Sequence, residues 1–228
     1  MTARVLRLTV VALLVATAAL AGSAGPTPAG AQAPPDPILF VHGWNGSASA
    51  WTTMIDRFAA AGVPRDRMLA ISYDSNQSNA TIANQVRDAV AGLLASTGAE
   101  RVDVVTHSMG GLSSRYYLKN LGGTAHVDAW ASLGGPNHGT NLAYACYPFS
   151  ISCRDMVPTS SFLANLNAGD ETPGPVHYGT FWSSCDEAIN PDSSVLLEGA
   201  VNTGVGCLRH SALRTDAGVF ELVRAFVA

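Results

Sequence analysis

Short apolar runs alternate with helical patterns through the first half of the chain. Four runs, each the length of one buried strand, lie at residues 37–41, 68–73, 102–105 and 127–133. Between them, apolar residues recur three or four positions apart, as on the buried face of a helix: Trp51, Met54, Ile55, Phe58 and Ala61, then Ile82, Val86, Val90 and Leu93. This alternation predicts a doubly wound α/β architecture, with a mostly parallel central sheet and helices on both faces.

The pattern loosens after Gly135. Residues 136–175 are rich in Pro, Ser, Asn and Gly, and they predict an ordered surface excursion over the face that carries the site. Strands are predicted again at residues 176–182 and 195–201. A final helix is predicted from four apolar residues at helical spacing, Val219, Leu222, Val223 and Phe226. Ligands of such sheets bind beyond the carboxyl ends of the strands, so the candidate motifs should lie there.

The first residues have the pattern of a secretory leader. Arg4 and Arg7 precede an apolar run over residues 8–20, which is shorter than the roughly 18 residues that a membrane span needs. Small residues follow, and we expect cleavage near Ala24 or Ala33. An uncleaved anchor is the alternative, and the Gly- and Pro-rich segment that follows the apolar run argues against it.

Residues 34–228 are expected to form a single domain, because no second linker or internal repeat divides them. The chain has 13 basic and 17 acidic residues; without Arg4 and Arg7 it has 11 against 17, a net charge near −6. This balance argues against a nucleic-acid partner, and the lack of a basic amphipathic helix argues against electrostatic attachment to membranes. We expect a monomer whose contact with lipid surfaces is transient and apolar.

The chain contains four cysteines, Cys146, Cys153, Cys185 and Cys207. An even number in an exported chain predicts two disulfides, although four cysteines permit three pairings. We expect Cys146 to pair with Cys153 and Cys185 with Cys207. A zinc site is the competing interpretation, and it is disfavoured because no C-x-x-C pair is present.

Ser108 lies where the third predicted strand turns into a helix, in the segment VVTHSMGG. A serine between a β-branched strand and a helix, with Gly110 two residues later, is typical of a nucleophile elbow. The tight turn forces the serine into a strained backbone conformation and exposes its hydroxyl. Thr106 departs from the usual pattern, which has glycine at that position. A serine that only caps the helix is the alternative.

Two backbone N–H groups are candidates for stabilising an oxyanion. The N–H of Met109 lies at the start of the helix that follows Ser108. The segment HGWNG follows the first strand, where this kind of site places its second donor, and we assign the N–H of Trp44. An ordinary glycine turn is the competing interpretation of that segment.

The general base should follow the nucleophile in the chain, which leaves four of the six histidines. His210 lies after the last predicted strand and before the last helix, where the imidazole is expected, and His138 is its main rival. His42 and His107 precede Ser108 and are therefore expected to be neighbours rather than bases.

The acid should lie between nucleophile and base, on a loop at a strand end, and Asp186 in SSCDE satisfies this. The adjacent Glu187 is expected to point elsewhere. A disulfide between Cys185 and Cys207 would join the loops that carry Asp186 and His210 and would preorganise them. The other carboxylates in this region lie in looser polar segments, where solvation is expected: Asp155, Asp170, Glu171 and Asp192.

Six segments, taken in order, resemble the secreted bacterial lipase/esterase family called lipase class 2. They are VHGWNGS, THSMGG, SLGGPNHGT, LNAGDETPG, SSCDEAI and HSAL. The resemblance implies a minimal α/β-hydrolase fold, the triad Ser108, Asp186 and His210, and oxyanion amides at Trp44 and Met109. The four cysteines and the excursion at residues 141–175 depart from the smallest relatives.

The expected activity is hydrolysis of carboxylic esters, either triacylglycerols or simpler acyl esters, through an acyl-enzyme on Ser108. We expect this chemistry to need no metal and no cofactor. An acyltransferase or a serine peptidase could use the same triad, because a fold does not fix the acceptor. A non-catalytic, hydrolase-like binding protein is a third possibility, although such a protein would be expected to have lost a triad member.

Overall fold

A sheet of six parallel strands, in the order β2-β1-β3-β4-β5-β6, forms the centre of the computed structural model, which describes residues 34–228. The expected leader and both of its cleavage sites lie outside the described residues. The strands are β1 Ile38–Val41, β2 Met68–Ala70, β3 Val102–His107, β4 Val127–Leu133, β5 His177–Trp182 and β6 Val201–Gly204. Every pair of neighbouring strands is parallel, as the alternating pattern predicts.

Helices cover both faces of this sheet, which confirms the expected architecture. They are α1 Thr52–Ala60, α2 Asn79–Thr97, α3 Gly110–Asn120, α4 Ile151–Met156, α5 Ser161–Asn167 and α6 Ala217–Phe226. Ser78 caps α2 by accepting a hydrogen bond from the N–H of Thr81, and Asp216 caps α6 in the same way. Among residues 34–228, no helix is both long and apolar enough to cross a membrane.

Two apolar layers enclose the sheet, because successive side chains of a strand point to opposite faces. In β1, Leu39 and Val41 pack against α2 and α3, whereas Ile38 and Phe40 pack against α1 and α6. All four of these side chains are buried. Burial on both faces explains why the strand sequences are continuously apolar rather than alternating.

The last strand lies later than the sequence predicts. Residues 195–201 were expected to form a strand, but Val195 ends a short 3₁₀ helix and β6 begins only at Val201. The side chain of Asn202 binds both the N–H and the carbonyl of Leu197, and this holds a tight turn there. The apolar run arises because Val195 and Leu197 are buried within a loop, so their hydrophobicity does not mark a strand.

The excursion between β4 and β5 is ordered, and it has its own apolar core. It contains a 3₁₀ helix at Asn141–Ala145, followed by α4 and α5. Residues of these segments pack against Ile82, Met109 and Leu112. The excursion therefore rests on the start of α3, beside the carboxyl ends of the strands.

Candidate active site

Ser108 lies between β3 and α3 with a left-handed backbone conformation, φ 57°. Within residues 34–228, Asn45 is the other non-glycine residue with a positive φ. The turn is fixed by hydrogen bonds from Ser108 N to Leu133 O and from Gly111 N to Ser108 O, both 2.9 Å. A serine that merely capped the helix would not need this conformation, so the local geometry is that of a nucleophile elbow.

Glycines let other parts of the chain approach the elbow closely. A Cβ atom at Gly110 would lie 2.5 Å from the carbonyl oxygens of Val41 and His42. A Cβ at Gly43 would lie 2.7 Å from Ser108 Cβ and 3.2 Å from its Oγ. The loop after β1 is therefore in contact with Ser108 only because Gly43 has no side chain.

Small neighbours also make room for Thr106, the residue that departs from the usual elbow pattern. Thr106 is fully buried and stands opposite Ser132 on β4. A Cβ at Gly111 would lie 2.8 Å from Ser132 Oγ and 3.5 Å from Thr106 Oγ1, and a Cβ at Gly135 would lie 2.3 Å from Ser132 Oγ. The threonine is accommodated because Gly111, Gly135 and Ser132 leave space around it.

His210 and Asp186 form a hydrogen-bonded pair on neighbouring loops. The Nδ1 atom of His210 lies 2.8 Å from Oδ2 of Asp186, whose side chain is only 1% exposed. The other carboxylate oxygen accepts hydrogen bonds from the N–H groups of Ala188 and Ile189, at 2.9 and 3.0 Å. With Nδ1 donating to Asp186, Nε2 of His210 is left to accept a proton.

Gly134 at the end of β4 allows this pair to pack closely. It has a φ of 58°, and a Cβ there would lie 3.0 Å from Asp186 Oδ2 and 3.2 Å from His210 Nδ1. The backbone conformation and the lack of space both require glycine at this position.

A covalent bond and several hydrogen bonds join the two loops. Cys185 is bonded to Cys207, and Cys146 to Cys153, which are the expected pairings. The hydroxyl of Ser183 accepts a 2.7 Å hydrogen bond from the N–H of Leu208 and lies 2.6 Å from the carbonyl oxygen of the same residue. These contacts fix the spacing between the carboxylate and the imidazole.

Glu187 makes a contact that sequence reasoning missed. Its Oε2 accepts a 3.1 Å hydrogen bond from the backbone N–H of His210. Hydrogen bonds from its own backbone N–H and from that of His210 hold the pKa of Glu187 below its usual value. Glu187 does not point away from the site but binds the loop that carries the imidazole. The acidic pair DE was the available signal, although the pair gives no indication of which backbone group each residue binds.

His107 contacts the backbone of His210. It is buried, and its Nε2–H donates a 3.0 Å hydrogen bond to the carbonyl oxygen of His210, with the two rings 4.4 Å apart. Burial, followed by the charges of His210 and Arg214, holds the pKa of His107 well below its usual value. The neutral ring is therefore a structural neighbour, as expected from its position before Ser108.

His42 fixes the loop that follows β1. Its Nδ1 donates a 2.7 Å hydrogen bond to Gly43 O, and its ring stacks on Tyr73 at 3.9 Å. The hydroxyl of Tyr73 donates a hydrogen bond to His42 O. Burial lowers the pKa of His42, so this ring is also neutral.

The rival base His138 lies elsewhere. Its ring is 2.9 Å from the carboxylate of Glu171, and it lines a separate shallow groove beside α5. The lining of the cavity that contains Ser108 does not include His138. Of the two candidates, only His210 shares a cavity with Ser108.

That cavity has a volume of about 500 Å³ and opens to solvent. Ser108, His210 and Trp44 line it together with apolar side chains of the excursion and of the loop that carries Asp186, namely Leu142, Ala143, Ala145, Met156, Ala188 and Ile189. Arg214 also lines it, and none of the lining residues is a carboxylate. The space beside Ser108 therefore suits an apolar group better than a cationic one.

The two candidate oxyanion donors flank Ser108. Trp44 follows the Gly43 that contacts the serine, and Met109 is the next residue in the chain. In the part of the chain that the structure describes, neither N–H donates to another protein atom. Ser108 and His210 both line the cavity, but among residues 34–228 no hydrogen bond joins Ser108 Oγ to the ring of His210.

The described residues contain one cluster of three potential metal ligands, and it lies at the amino ends of the strands, opposite the end that carries Ser108. Oxygens of Asp36, Asp103 and Asp128 lie within 4.8 Å of one another. Arg101 forms an ion pair with Asp128 at 3.2 Å. Burial, followed by the charge of Asp128, raises the pKa of Asp36, and the charges of Arg67 and Arg101 oppose this shift. This arrangement is an ion-pair cluster at the amino ends of the strands, remote from Ser108.

Solved structures with the same fold include several esterases and lipases. The mature Bacillus licheniformis lipase BlEst2 matches with a TM-score of 0.76 and 18% identity, over 86% of this chain and 94% of that one. Aspergillus fumigatus lipase B matches at 0.70 and 19%, over 83% and 51% of the two chains. The metagenomic carboxyl esterase MGS0156 matches at 0.68 and 13%, over 91% and 80%. At these identities the likeness establishes an α/β-hydrolase fold.

Comparison of the sequence with family profiles identifies the family. The profile described as lipase (class 2) matches residues 35–198, which include β1 to β5, the Ser108 elbow and Asp186. This span is well over half of the chain, so the protein belongs to the lipase (class 2) family of ester hydrolases.

Proposed function

We propose that this protein is a secreted serine hydrolase that cleaves carboxylic esters with Ser108, His210 and Asp186 as its triad. The observation that carries the proposal is the 2.8 Å contact between His210 Nδ1 and Asp186 Oδ2 at a cavity that also holds Ser108. The left-handed backbone of Ser108 supports the role of nucleophile, because strain of this kind is typical of functional sites.

In the proposed mechanism, Ser108 Oγ attacks the ester carbonyl while His210 Nε2 accepts its proton. Asp186 orients the imidazole through Nδ1–H and stabilises its charged form. The N–H groups of Trp44 and Met109 stabilise the oxyanion that forms as the carbonyl becomes tetrahedral. His210 then returns the proton to the departing alcohol, which leaves the acyl group on Ser108.

Water completes the cycle. It loses a proton to His210 as it attacks the acyl-enzyme, and the same proton returns to Ser108 Oγ as the carboxylic acid leaves. The apolar lining of the cavity favours an acyl chain in this space. The two disulfides are consistent with an oxidising environment, and together with the expected leader they support secretion.

The test is a series of p-nitrophenyl esters from short to long acyl chains, combined with labelling by a fluorophosphonate. Ser108→Ala, His210→Ala and Asp186→Asn should each lower kcat/KM by roughly 10⁴ or more, and Ser108→Ala should abolish labelling. The matched controls His138→Ala and Asp192→Asn should retain activity. Hydrolysis that survives Ser108→Ala would remove this serine from the mechanism, and turnover of peptides in preference to esters would refute the substrate class.

A further inference from the structure

A loop beside the cavity carries an unusual number of exposed apolar side chains. We call residues 141–153, which contain no charged residue, the aromatic loop. Phe149 is 86% exposed, and about half of the surface of each of four other large side chains is exposed: Leu142, Tyr144, Tyr147 and Ile151. Apolar residues clustered in this way on a soluble domain mark a surface for interaction.

The exposure of these side chains is fixed by the structure of the loop. The Cys146–Cys153 disulfide closes the loop at its base, where Cys153 is buried. The N–H of Phe149 donates to Cys146 O at 3.0 Å, and the N–H of Ile151 donates to Asn76 O at 3.1 Å. These contacts fix the backbone from which the exposed phenylalanine side chain projects.

The aromatic loop is continuous with the mouth of the cavity. Leu142, Ala143 and Cys146 belong both to the loop and to the cavity lining. Trp44, which is 42% exposed, lines the same cavity from the loop after β1. A surface that meets these side chains would therefore lie directly over the entrance to Ser108.

We propose that the aromatic loop docks the enzyme on an uncharged or zwitterionic lipid surface, so that ester molecules pass from that surface into the cavity. This inference rests on the proposed function, and it specifies the physical state in which the substrate is presented. Aromatic and branched apolar side chains partition into the boundary between headgroups and acyl chains.

Charge decides which lipid surface is preferred. The aromatic loop offers no cation to an anionic headgroup. The residue that follows it in the chain, Arg154, lies over the ring of Tyr147 and donates to the carbonyl oxygen of that residue. Residues 34–228 carry 11 basic and 17 acidic side chains, so an anionic membrane repels them on balance. Docking should therefore depend on apolar contact and change little with salt concentration.

Vesicle binding tests the proposal without any need for turnover. The full protein carrying Ser108→Ala is mixed with phosphatidylcholine vesicles, and the bound fraction is measured by sedimentation. Adding Phe149→Ser and Ile151→Ser should lower the partition coefficient by about tenfold or more, because burial of one phenylalanine side chain alone favours binding by about that factor. Leu222→Ser, which alters an exposed leucine on α6 away from the cavity, is the matched control and should bind like the parent.

A rate comparison gives a second readout. The Phe149→Ser, Ile151→Ser double variant on an active background should show a lower ratio of hydrolysis of emulsified tributyrin to hydrolysis of a dissolved short ester. Failure of the proposed function would abolish both rates but leave vesicle binding intact. Failure of the docking proposal would leave the ratio and the binding unchanged in the double variant.

Other outcomes would also overturn the proposal. Binding that requires phosphatidylglycerol, or that disappears at high salt, would indicate electrostatic attachment. Dimerisation that is removed by Phe149→Ser in analytical ultracentrifugation would show that a second copy of the chain covers the loop. Thermal unfolding of each variant separates these outcomes from a loss of fold.

Discussion

Replacing Gly43 with alanine should disable the enzyme without unfolding it. The added Cβ would lie 2.7 Å from Ser108 Cβ, whereas non-bonded carbons pack at about 3.5–4.0 Å. Either the elbow or the loop after β1 must therefore move by about 1 Å. The crowding is local, because the nearest atoms belong to Ser108 and the neighbouring His107 carbonyl.

A displacement of this size has a large effect on catalysis. A misplacement of about 1 Å can cost roughly 10²-fold in rate, and loss of one oxyanion donor costs about 10² to 10³. The clash would displace both Ser108 and one proposed oxyanion donor, because Gly43 contacts Ser108 and directly precedes Trp44. We expect kcat/KM for a dissolved p-nitrophenyl ester to fall by at least about 10²-fold.

The matched control is Gly92→Ala, at an exposed position within α2. A Cβ at Gly92 would have no heavy atom within 4 Å. Alanine in a helix is more stable than glycine by about 0.5–1 kcal/mol, so this variant should unfold at a slightly higher temperature and retain its activity. Steady-state kinetics, fluorophosphonate titration and thermal unfolding are measured for both variants. If Gly43→Ala hydrolysed esters within about twofold of the parent, the close approach of the two loops would not matter for catalysis.

Three further perturbations test other parts of the structure. Burial, followed by the charge of Asp36, raises the pKa of Asp103 from 3.8 to about 8, so the folded protein loses stability as the pH rises through this range. Asp103→Asn should flatten the dependence of the unfolding free energy on pH between 5 and 8. Urea titrations at several pH values that gave the parent and the variant the same pH dependence would contradict this. Cys185→Ser combined with Cys207→Ser opens a loop with a sequence separation of 22, which should lower the unfolding free energy by about 3 kcal/mol; an unchanged melting temperature would refute the estimate. Glu187→Ala should lower kcat several-fold at nearly constant KM, whereas Glu187→Gln, which keeps an acceptor for the loop, should restore most of it; equal rates for the two variants would count against a positioning role.

The sheet and its covering helices could be predicted because burial leaves a periodic signal in the sequence. In β1 and β3, side chains on both faces are buried, and the runs at residues 37–41 and 102–105 show it directly. The strand predicted at residues 195–201 is wrong because burial of Val195 and Leu197 produces the same apolar signal in a loop.

The candidate site was accessible from the sequence for a different reason. Ser108 stands at a turn whose local geometry constrains its neighbours, so the motif is visible within a few residues. The contact of Glu187 with the His210 backbone joins positions 23 residues apart, and its direction depends on how two loops pack. The exposure of Phe149 depends in the same way on hydrogen bonds at the base of the aromatic loop, which composition alone does not indicate.

With Ser108 as the proposed nucleophile, its positive φ sets activity against stability at one residue. An L-residue in the left-handed region costs roughly 1–2 kcal/mol, and glycine does not incur this cost. The most stable version of this chain would therefore have no hydroxyl at position 108, and selection for durability alone would drift towards an inert protein. Ser108→Gly is accordingly a better scaffold than Ser108→Ala for holding an uncleaved ester in place, because it removes the nucleophile and relaxes the turn at the same time.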